Sequence, residues 1–123
     1  MSNSKSILKE KSFAFALRSI KLYEYLKCTK KEYIISKQML RSGTSIGANI
    51  REAQNAESPA DFIHKFGIAQ KECDETLYWL ELLFASEYLS ELEFNSIHEE
   101  GDELLKMIRS SILTLKQKKM PNS

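Results

Sequence analysis

The chain has 123 residues, of which 42% are hydrophobic and 28% are charged, and its formal net charge is +1 at pH 7. This length suits one domain, and this composition argues against a disordered chain. Four glycines and two prolines are too few to provide the turns of a many-stranded sheet, so we expect an all-α fold.

The two cysteines, Cys28 and Cys73, form no CxxC pair or other metal-binding spacing. The N-terminal sequence lacks the apolar segment of a secretory signal, and no apolar run approaches the ~20 residues that span a bilayer. The sequence therefore predicts a cytoplasmic protein with reduced thiols and no membrane contact.

Charge is distributed unevenly along the chain. Residues 1–41 contain ten Lys or Arg and three Glu, whereas residues 72–103 contain eleven Asp or Glu and no Lys or Arg. This asymmetry predicts complementary charged faces, either within one subunit or between subunits. The alternative is a nucleic-acid surface, whose candidate contacts are Lys9, Lys11, Arg18, Lys21, Lys27, Lys30, Lys31 and Lys37.

The first predicted helix covers residues 6–27. Its core-facing stripe is expected to hold the apolar residues that recur at spacings of 4, 3 and 3, namely Phe13, Leu17, Ile20 and Tyr23. Three further apolar residues lie outside that stripe, namely Phe15, Leu22 and Tyr25. A second buried surface, such as a contact with another subunit, would account for them.

The second predicted helix covers residues 31–55, with Thr29 as its expected cap. Its middle contains Gly43 and Gly47, each of which costs roughly 1 kcal/mol relative to alanine in a helix interior. Because the two glycines share one helical face, they predict close contact with another helix. We expect a polar network beside this contact, and the predicted packing and network residues are Arg41, Ser42, Gly43, Ser45, Gly47, Asn49, Glu52, Glu72 and Glu75.

The third and fourth predicted helices cover residues 59–86 and 91–116. Ser58 followed by Pro59 marks one helix start, and the capping box formed by Ser90 and Glu93 marks the other. In both helices apolar residues recur at spacings of 3 and 4, as in the core of a bundle. On the third helix the predicted core residues are Phe62, Phe66, Ala69, Cys73, Leu77, Leu80 and Phe84. Cys73 falls on the apolar seam of the third helix, so it is predicted to be a small core residue and not a nucleophile.

The run from Gln38 to Ala53, Q-M-L-R-S-G-T-S-I-G-A-N-I-R-E-A, resembles the signature of the four-helix-bundle proteins encoded in 23S ribosomal RNA intervening sequences. Residues 61–66, 69–76 and 78–80 resemble the third helix of the same family, and the resemblance extends over residues 13–115. It implies a bacterial four-helix bundle that forms a ring-like homopentamer and whose biochemical role is undefined.

The accessory proteins of diversity-generating retroelements also resemble this family. Those accessory proteins are strongly basic and bind a reverse transcriptase and nucleic acid. This chain differs from them because it is nearly neutral. Because the two families are similar, the resemblance implies, as the alternative function, nucleic-acid binding by an accessory protein.

The sequence contains no complete catalytic motif. Asp61 and His64 supply only part of the Glu-x-x-His pattern that a di-iron bundle needs twice. Glu72 and Glu75 lie one helical turn apart but lack a sugar cleft, and the G-T-S-I-G run lacks the Lys-Ser/Thr pair of a P-loop. The sequence therefore predicts a non-enzymatic protein with no cofactor, metal or small-molecule substrate.

Together these patterns predict one domain over residues 1–123, folded as an up-down-up-down antiparallel left-handed four-helix bundle. The leading hypothesis is a homo-oligomeric protein associated with 23S rRNA intervening sequences, whose main partner is itself. RNA or a nucleic-acid-processing protein is the alternative partner.

Overall fold

Four α-helices form nearly all of the described chain. The computed structural model describes residues 2–119, and the side chains of residues 7–118, and its helices are α1 (Ser2–Cys28), α2 (Ile35–Ala53), α3 (Pro59–Ala85) and α4 (Glu91–Lys119). Each helix packs against the next one along the chain, and α4 also contacts α1, which closes the bundle. No strand is present in this part of the chain. The predicted all-α four-helix bundle is confirmed.

The starts of α3 and α4 carry the caps that the sequence predicts. Ser58 Oγ accepts a hydrogen bond from the Asp61 N–H at 3.1 Å, and Pro59 occupies the first turn. Ser90 and Glu93 exchange two hydrogen bonds, in which backbone N–H groups donate to side-chain oxygens at 2.9 and 3.1 Å. These bonds satisfy N–H groups that have no partner within the first turn of a helix.

The start of α2 differs from the prediction, because the helix begins at Ile35 and not at residue 31. The predicted Thr29 cap is wrong. Instead, the Glu32 carboxylate accepts hydrogen bonds at 3.1, 2.9 and 2.6 Å from three backbone N–H groups, those of Ile34, Ile35 and Ser36. Lys31 has a φ of 59°, a left-handed conformation that turns the chain just before this cap.

The Glu32 cap is expected to stabilise the fold in a pH-dependent way. Burial raises the pKa of the Glu32 carboxyl, but the backbone hydrogen bonds from Ile35, Ser36 and Ile34 outweigh burial and hold this pKa below its ordinary value. A carboxyl whose pKa is lowered by folding contributes its full stabilisation above its ordinary pKa. That contribution is lost as the pH falls through the lowered pKa.

Replacing Glu32 by Ala should lower the free energy of unfolding by about 1–2 kcal/mol at neutral pH, because α2 loses the acceptor for its first N–H groups. The difference from wild type should shrink under acidic conditions. Urea denaturation across a pH series measures it, with Glu24→Ala as the control because Glu24 is exposed on α1. Equal losses in the two variants would contradict the assigned cap.

The largest departure from the sequence prediction is the orientation of α1. Phe13, Leu17 and Ile20, which were predicted to face the core, are 58%, 48% and 40% exposed. The predicted core stripe of α1 is therefore wrong. Among the described side chains of α1, those that are buried are Leu8, Ser12, Phe15, Ser19 and Leu26, of which only Leu26 was predicted to lie on the core stripe. Two of these residues, Ser12 and Ser19, are polar, so the spacing of apolar residues does not show that this face is buried.

The remaining core follows the predicted stripes of α2, α3 and α4. Its members from these helices include Met39, Ile46, Ile50, Phe66, Leu77, Leu80, Leu104 and Ile108. Phe84, which was predicted to be inside, is 36% exposed and stacks on Phe94 with 4.4 Å between ring centroids. Leu83 is fully buried in its place, so the seam of α3 shifts by one residue near its C-terminal end.

Candidate interaction surface

Gly43 and Gly47 bring α2 close to α1, and each faces a buried serine. A Cβ atom at Gly43 would lie 3.0 Å from Ser19 Cβ and closer still to its hydroxyl oxygen, while a Cβ at Gly47 would lie 3.3 Å from Ser12 Oγ. Each serine hydroxyl donates to a carbonyl of its own helix, at 2.9 Å for Ser19 and 3.1 Å for Ser12. The absence of a side chain on α2 therefore permits the close approach of the two helices.

Arg41 joins α2 to α3 through two carboxylates. Its guanidinium lies 3.3 Å from Glu72 Oε1 and 2.5 Å from Glu75 Oε2. Trp79 Nε1 donates to the same Glu75 oxygen at 3.0 Å. The hydrogen bond from Trp79, together with the interaction with Arg41, holds the pKa of Glu75 below its ordinary value despite partial burial. In turn, the carboxylates of Glu75 and Glu72 raise the pKa of Arg41.

The other predicted network residues form separate hydrogen bonds at other levels of α2. The hydroxyls of Ser42 and Thr76, both fully buried, are 2.7 Å apart. Ser45 Oγ and Asn49 Nδ2 donate to backbone carbonyls of their own helix at 2.6 and 2.9 Å. Glu52 pairs with Lys65 of α3 at 2.9 Å. The structure thus brings Arg41, Glu72 and Glu75 together but does not join Asn49 or Glu52 to them.

Two of the eight basic residues that were predicted to contact nucleic acid pair with acidic residues of α4. Lys11 Nζ lies 3.1 Å from Glu103 Oε1. Arg18 pairs with Glu100 and also donates to Ser96 Oγ at 2.7 Å. The uneven charge along the chain is therefore partly neutralised within one subunit.

The six other basic candidates are exposed, namely Lys9, Lys21, Lys27, Lys30, Lys31 and Lys37. Lys27 Nζ lies 5.2 Å from the centre of the Tyr23 ring. Four of the six flank the connection between α1 and α2, so the structure groups them at one end of the bundle.

The Cys73 thiol is not placed for nucleophilic chemistry. Cys73 is fully buried and its Sγ lies 3.3 Å from the Gly101 carbonyl oxygen. Burial, with the nearby charges of Asp74 and Asp102, raises the pKa of the Cys73 thiol to about 12, so the reactive thiolate is not formed at neutral pH. Among residues 2–119, no three His, Cys, Asp or Glu side chains converge as metal ligands, and no helix has an apolar stretch that could cross a bilayer.

An apolar groove runs along the outer side of α1 and α2, which we call the α1–α2 groove. Its volume is about 830 Å³. Phe13, Leu17 and Ile20 form its α1 side, and small residues of α2 form the opposite side, namely Thr44, Gly47 and Ala48. Lys9, Glu10 and Arg51 also line it, as does Glu52. The groove exposes three large apolar side chains of α1 and can accept a side chain or a helix ridge from another molecule.

Sequence reasoning did not find this groove, because it placed Phe13, Leu17 and Ile20 in the core. The signal that could have found it was present, since α1 has apolar residues on two faces. A helix that is apolar on two faces is commonly buried on both.

The family model described as 23S rRNA-intervening sequence protein matches residues 4–110. The chain belongs to this family. A crystal structure of a protein of unknown function from the S23 ribosomal protein family of Bacteroides thetaiotaomicron is similar, with 50% identity and a TM-score of 0.88. The similarity covers 89% of this chain and 97% of that one. No curated protein matches the chain.

The family match confirms the resemblance that the motif between Gln38 and Ala53 indicates. In this family member, the two glycines of the motif lie at the α1–α2 contact and Arg41 lies at the α2–α3 contact. The motif residues thus occupy both sides of α2 and hold it between its two neighbours.

Proposed function

We propose that this family member is a non-enzymatic cytoplasmic protein that assembles into a homopentamer and acts in association with 23S rRNA intervening sequences. The observation that carries the proposal is the α1–α2 groove. Phe13, Leu17 and Ile20 are between 40% and 58% exposed, although they lie together on one helix. Covering such a surface with a second copy of the chain removes apolar area from water and favours association.

The ion pairs within the subunit also support self-association over binding to a polyanion. Lys11 and Arg18 on α1 are engaged by Glu103 and Glu100 on α4. Since the net charge is only +1, long-range attraction to nucleic acid is weak. An apolar contact between subunits does not require a net charge.

The mass of the protein in solution tests this proposal. Sedimentation velocity or light scattering at micromolar concentration should give a species of five times the 14.2 kDa of one chain. Leu17→Glu should reduce this species to the monomer while the helical circular dichroism is retained, because it places a charge inside the contact. Leu113→Glu is the matched control, since Leu113 is 59% exposed on α4 and lies outside the groove. A monomeric wild type would refute the proposal.

A nucleic-acid-binding accessory function is the second candidate, and the lysines near the connection between α1 and α2 favour it. Lys30, Lys31 and Lys37 are exposed, and the structure describes no ion pair for them. If these lysines contact phosphates, each contact releases counterions and makes the affinity depend on salt.

A salt series of RNA binding tests the second candidate. If the three lysines contact three phosphates, these contacts should make the affinity for RNA fall roughly 20–40-fold between about 50 and 200 mM salt. Replacing Lys30, Lys31 and Lys37 together by Glu should remove that dependence. The same change at three exposed lysines of α4, namely Lys106, Lys116 and Lys118, is the control for net charge. Equal losses in the two triple variants, or no binding at low salt, would argue against this function.

A further inference from the structure

A cyclic pentamer contains only heterologous contacts, in which one face of a subunit meets a different face of the next. The α1–α2 groove therefore cannot be filled by a second α1–α2 groove. Because it is concave and lies between two helices, it requires a convex partner such as the ridge of a helix. This requirement rests on the proposed self-association, and the partner must be another surface of the same chain.

The outer side of α3 presents such a ridge. Tyr78 is 53% exposed and packs edge-on against Trp79. Exposed Asp74 lies about one helical turn before it, and exposed Glu81, which pairs with His98 of α4, lies about one turn after it. Tyr33 and Ile34, at the start of α2, are 54% and 76% exposed. We call these five residues the Tyr78 ridge.

The contact between Arg41 and Glu75 places the two parts of the ridge at the same end of the bundle. Because α2 and α3 are antiparallel, residues before Arg41 on α2 lie beside residues after Glu75 on α3. Ile34 precedes Arg41 by about two turns, and Tyr78 follows Glu75 by about one turn. The exposed side chains of Tyr33 and Ile34, in the connection just before α2, therefore lie at the same end of the bundle as Tyr78.

Other exposed apolar side chains do not form a comparable surface in the described chain. Leu92 and Leu113 lie near opposite ends of α4 and are separated by polar residues. Phe84 is only 36% exposed, less than Tyr78, and lies face to face with Phe94. Ile7 belongs to α1 itself.

Charge is also complementary between the groove and the ridge. The groove is lined by Lys9, Glu10 and Arg51, for which no ion pair is described within the chain, and these three residues have a net positive charge. Glu52 also lines the groove but is paired with Lys65. Asp74 on the ridge has no described ion pair, so it can meet Lys9 or Arg51 of a neighbour.

From these observations we infer that the α1–α2 groove of one copy receives the Tyr78 ridge of the next copy. Tyr78 inserts between α1 and α2, above Gly47 and Ala48, and Asp74 faces the basic residues of the groove. The groove lies between α1 and α2, whereas the ridge is formed by α3 and by the residues just before α2. One copy can therefore present both surfaces at once, as a head-to-tail ring requires.

Mixing two assembly-deficient variants tests this pairing. Leu17→Glu damages the groove and leaves the ridge, whereas Tyr78→Glu damages the ridge and leaves the groove. Each variant alone should have the 14.2 kDa mass of a monomer. An equimolar mixture should produce a species of twice that mass, because one intact groove can receive one intact ridge but the ring cannot close. Circular dichroism of each variant shows whether it is folded, and Tyr78→Phe should assemble like wild type.

Each outcome of this test bears on one claim. A monomeric wild type would refute self-association and with it the pairing. An assembled wild type with an unchanged Tyr78→Glu variant would refute the ridge alone. Two monomeric variants that give no dimer on mixing would refute the head-to-tail contact.

A disulfide test is independent of the charged variants. In a Cys28→Ser background, Ala48→Cys combined with Tyr78→Cys should give a ladder of linked chains on oxidation, and either change alone should give none. A linked dimer from one of the single variants would show that identical faces meet and would overturn the inference.

Discussion

Replacing Phe15 by Ala should lower the free energy of unfolding by about 3–5 kcal/mol, as expected for removing a buried aromatic side chain. Phe15 is 1% exposed. A Cβ atom at Gly101 would lie 2.7 Å from Leu77 Cδ2 and 3.3 Å from Phe15 Cζ, so the ring reaches the backbone of α4 and shares with Leu77 the space that this glycine leaves. Truncation would leave a cavity between α1 and α4, and urea denaturation measures its cost.

Phe13→Ala is the matched control, because Phe13 lies two residues away and is 58% exposed. Its effect on the folded subunit should be about 0.5 kcal/mol or less, as for a typical surface substitution. Both changes should be measured in the Leu17→Glu background, so that loss of assembly does not contribute. If Phe13→Ala were the more damaging, α1 would face the core with the stripe that the sequence predicts.

The helix starts at Ser58 and Ser90 could be predicted because a cap is a local structure. Ser58 and Asp61 lie within one turn, as do Ser90 and Glu93, so the sequence contains both partners at a fixed spacing. The start of α2 is also local but less regular. There, a left-handed Lys31 lets Glu32 reach three N–H groups, and no common pattern of residues marks that geometry.

The orientation of α1 could not be predicted because it depends on another helix. α1 offers two apolar faces, and periodicity alone favours the one with the larger residues. The glycines of α2 decide the outcome, since Gly43 and Gly47 leave room for Ser19 and Ser12 but not for large side chains. The face with the buried serines therefore turns inward, and the more apolar face lines the groove.

The polar residues of α2 could be assigned to a face but not to their partners. Helical spacing places Arg41, Asn49 and Glu52 on the side that faces α3. However, Glu52 lies about three turns from Arg41, so it meets Lys65 at a different level of α3. Residue type and spacing therefore give the face, while the register between two helices requires the structure.

The two glycines of α2 are expected to differ when each is changed to Ala. Gly43→Ala should lower the free energy of unfolding by about 1–2 kcal/mol, because overpacking against Ser19 exceeds the gain in helix propensity. Gly47→Ala should change it by less than about 1 kcal/mol, since the nearest atom is the rotatable Ser12 hydroxyl at 3.3 Å. Gly43→Leu should prevent folding, because the Cβ atom of the new side chain already lies too close to Ser19 and the atoms beyond it have no space.

Gly67→Ala supplies the control for helix propensity. A Cβ atom at Gly67 meets no atom within 4 Å, so the substitution in α3 should raise the free energy of unfolding by up to about 1 kcal/mol. Subtracting this gain from the effect of Gly43→Ala isolates the cost of crowding at the α1–α2 contact.

Ser19→Gly should relieve the crowding caused by Gly43→Ala, because it removes the hydroxyl and the Cβ atom that lies 3.0 Å from the added carbon. Ser19→Gly alone should be destabilising, since it introduces a helical glycine and loses the hydrogen bond to the Phe15 carbonyl. In the double variant the loss should be smaller than the sum of the two single losses by about 1–2 kcal/mol. Additive losses in this cycle would mean that Ser19 is not what Gly43 accommodates, and the close contact between α1 and α2 would need another cause.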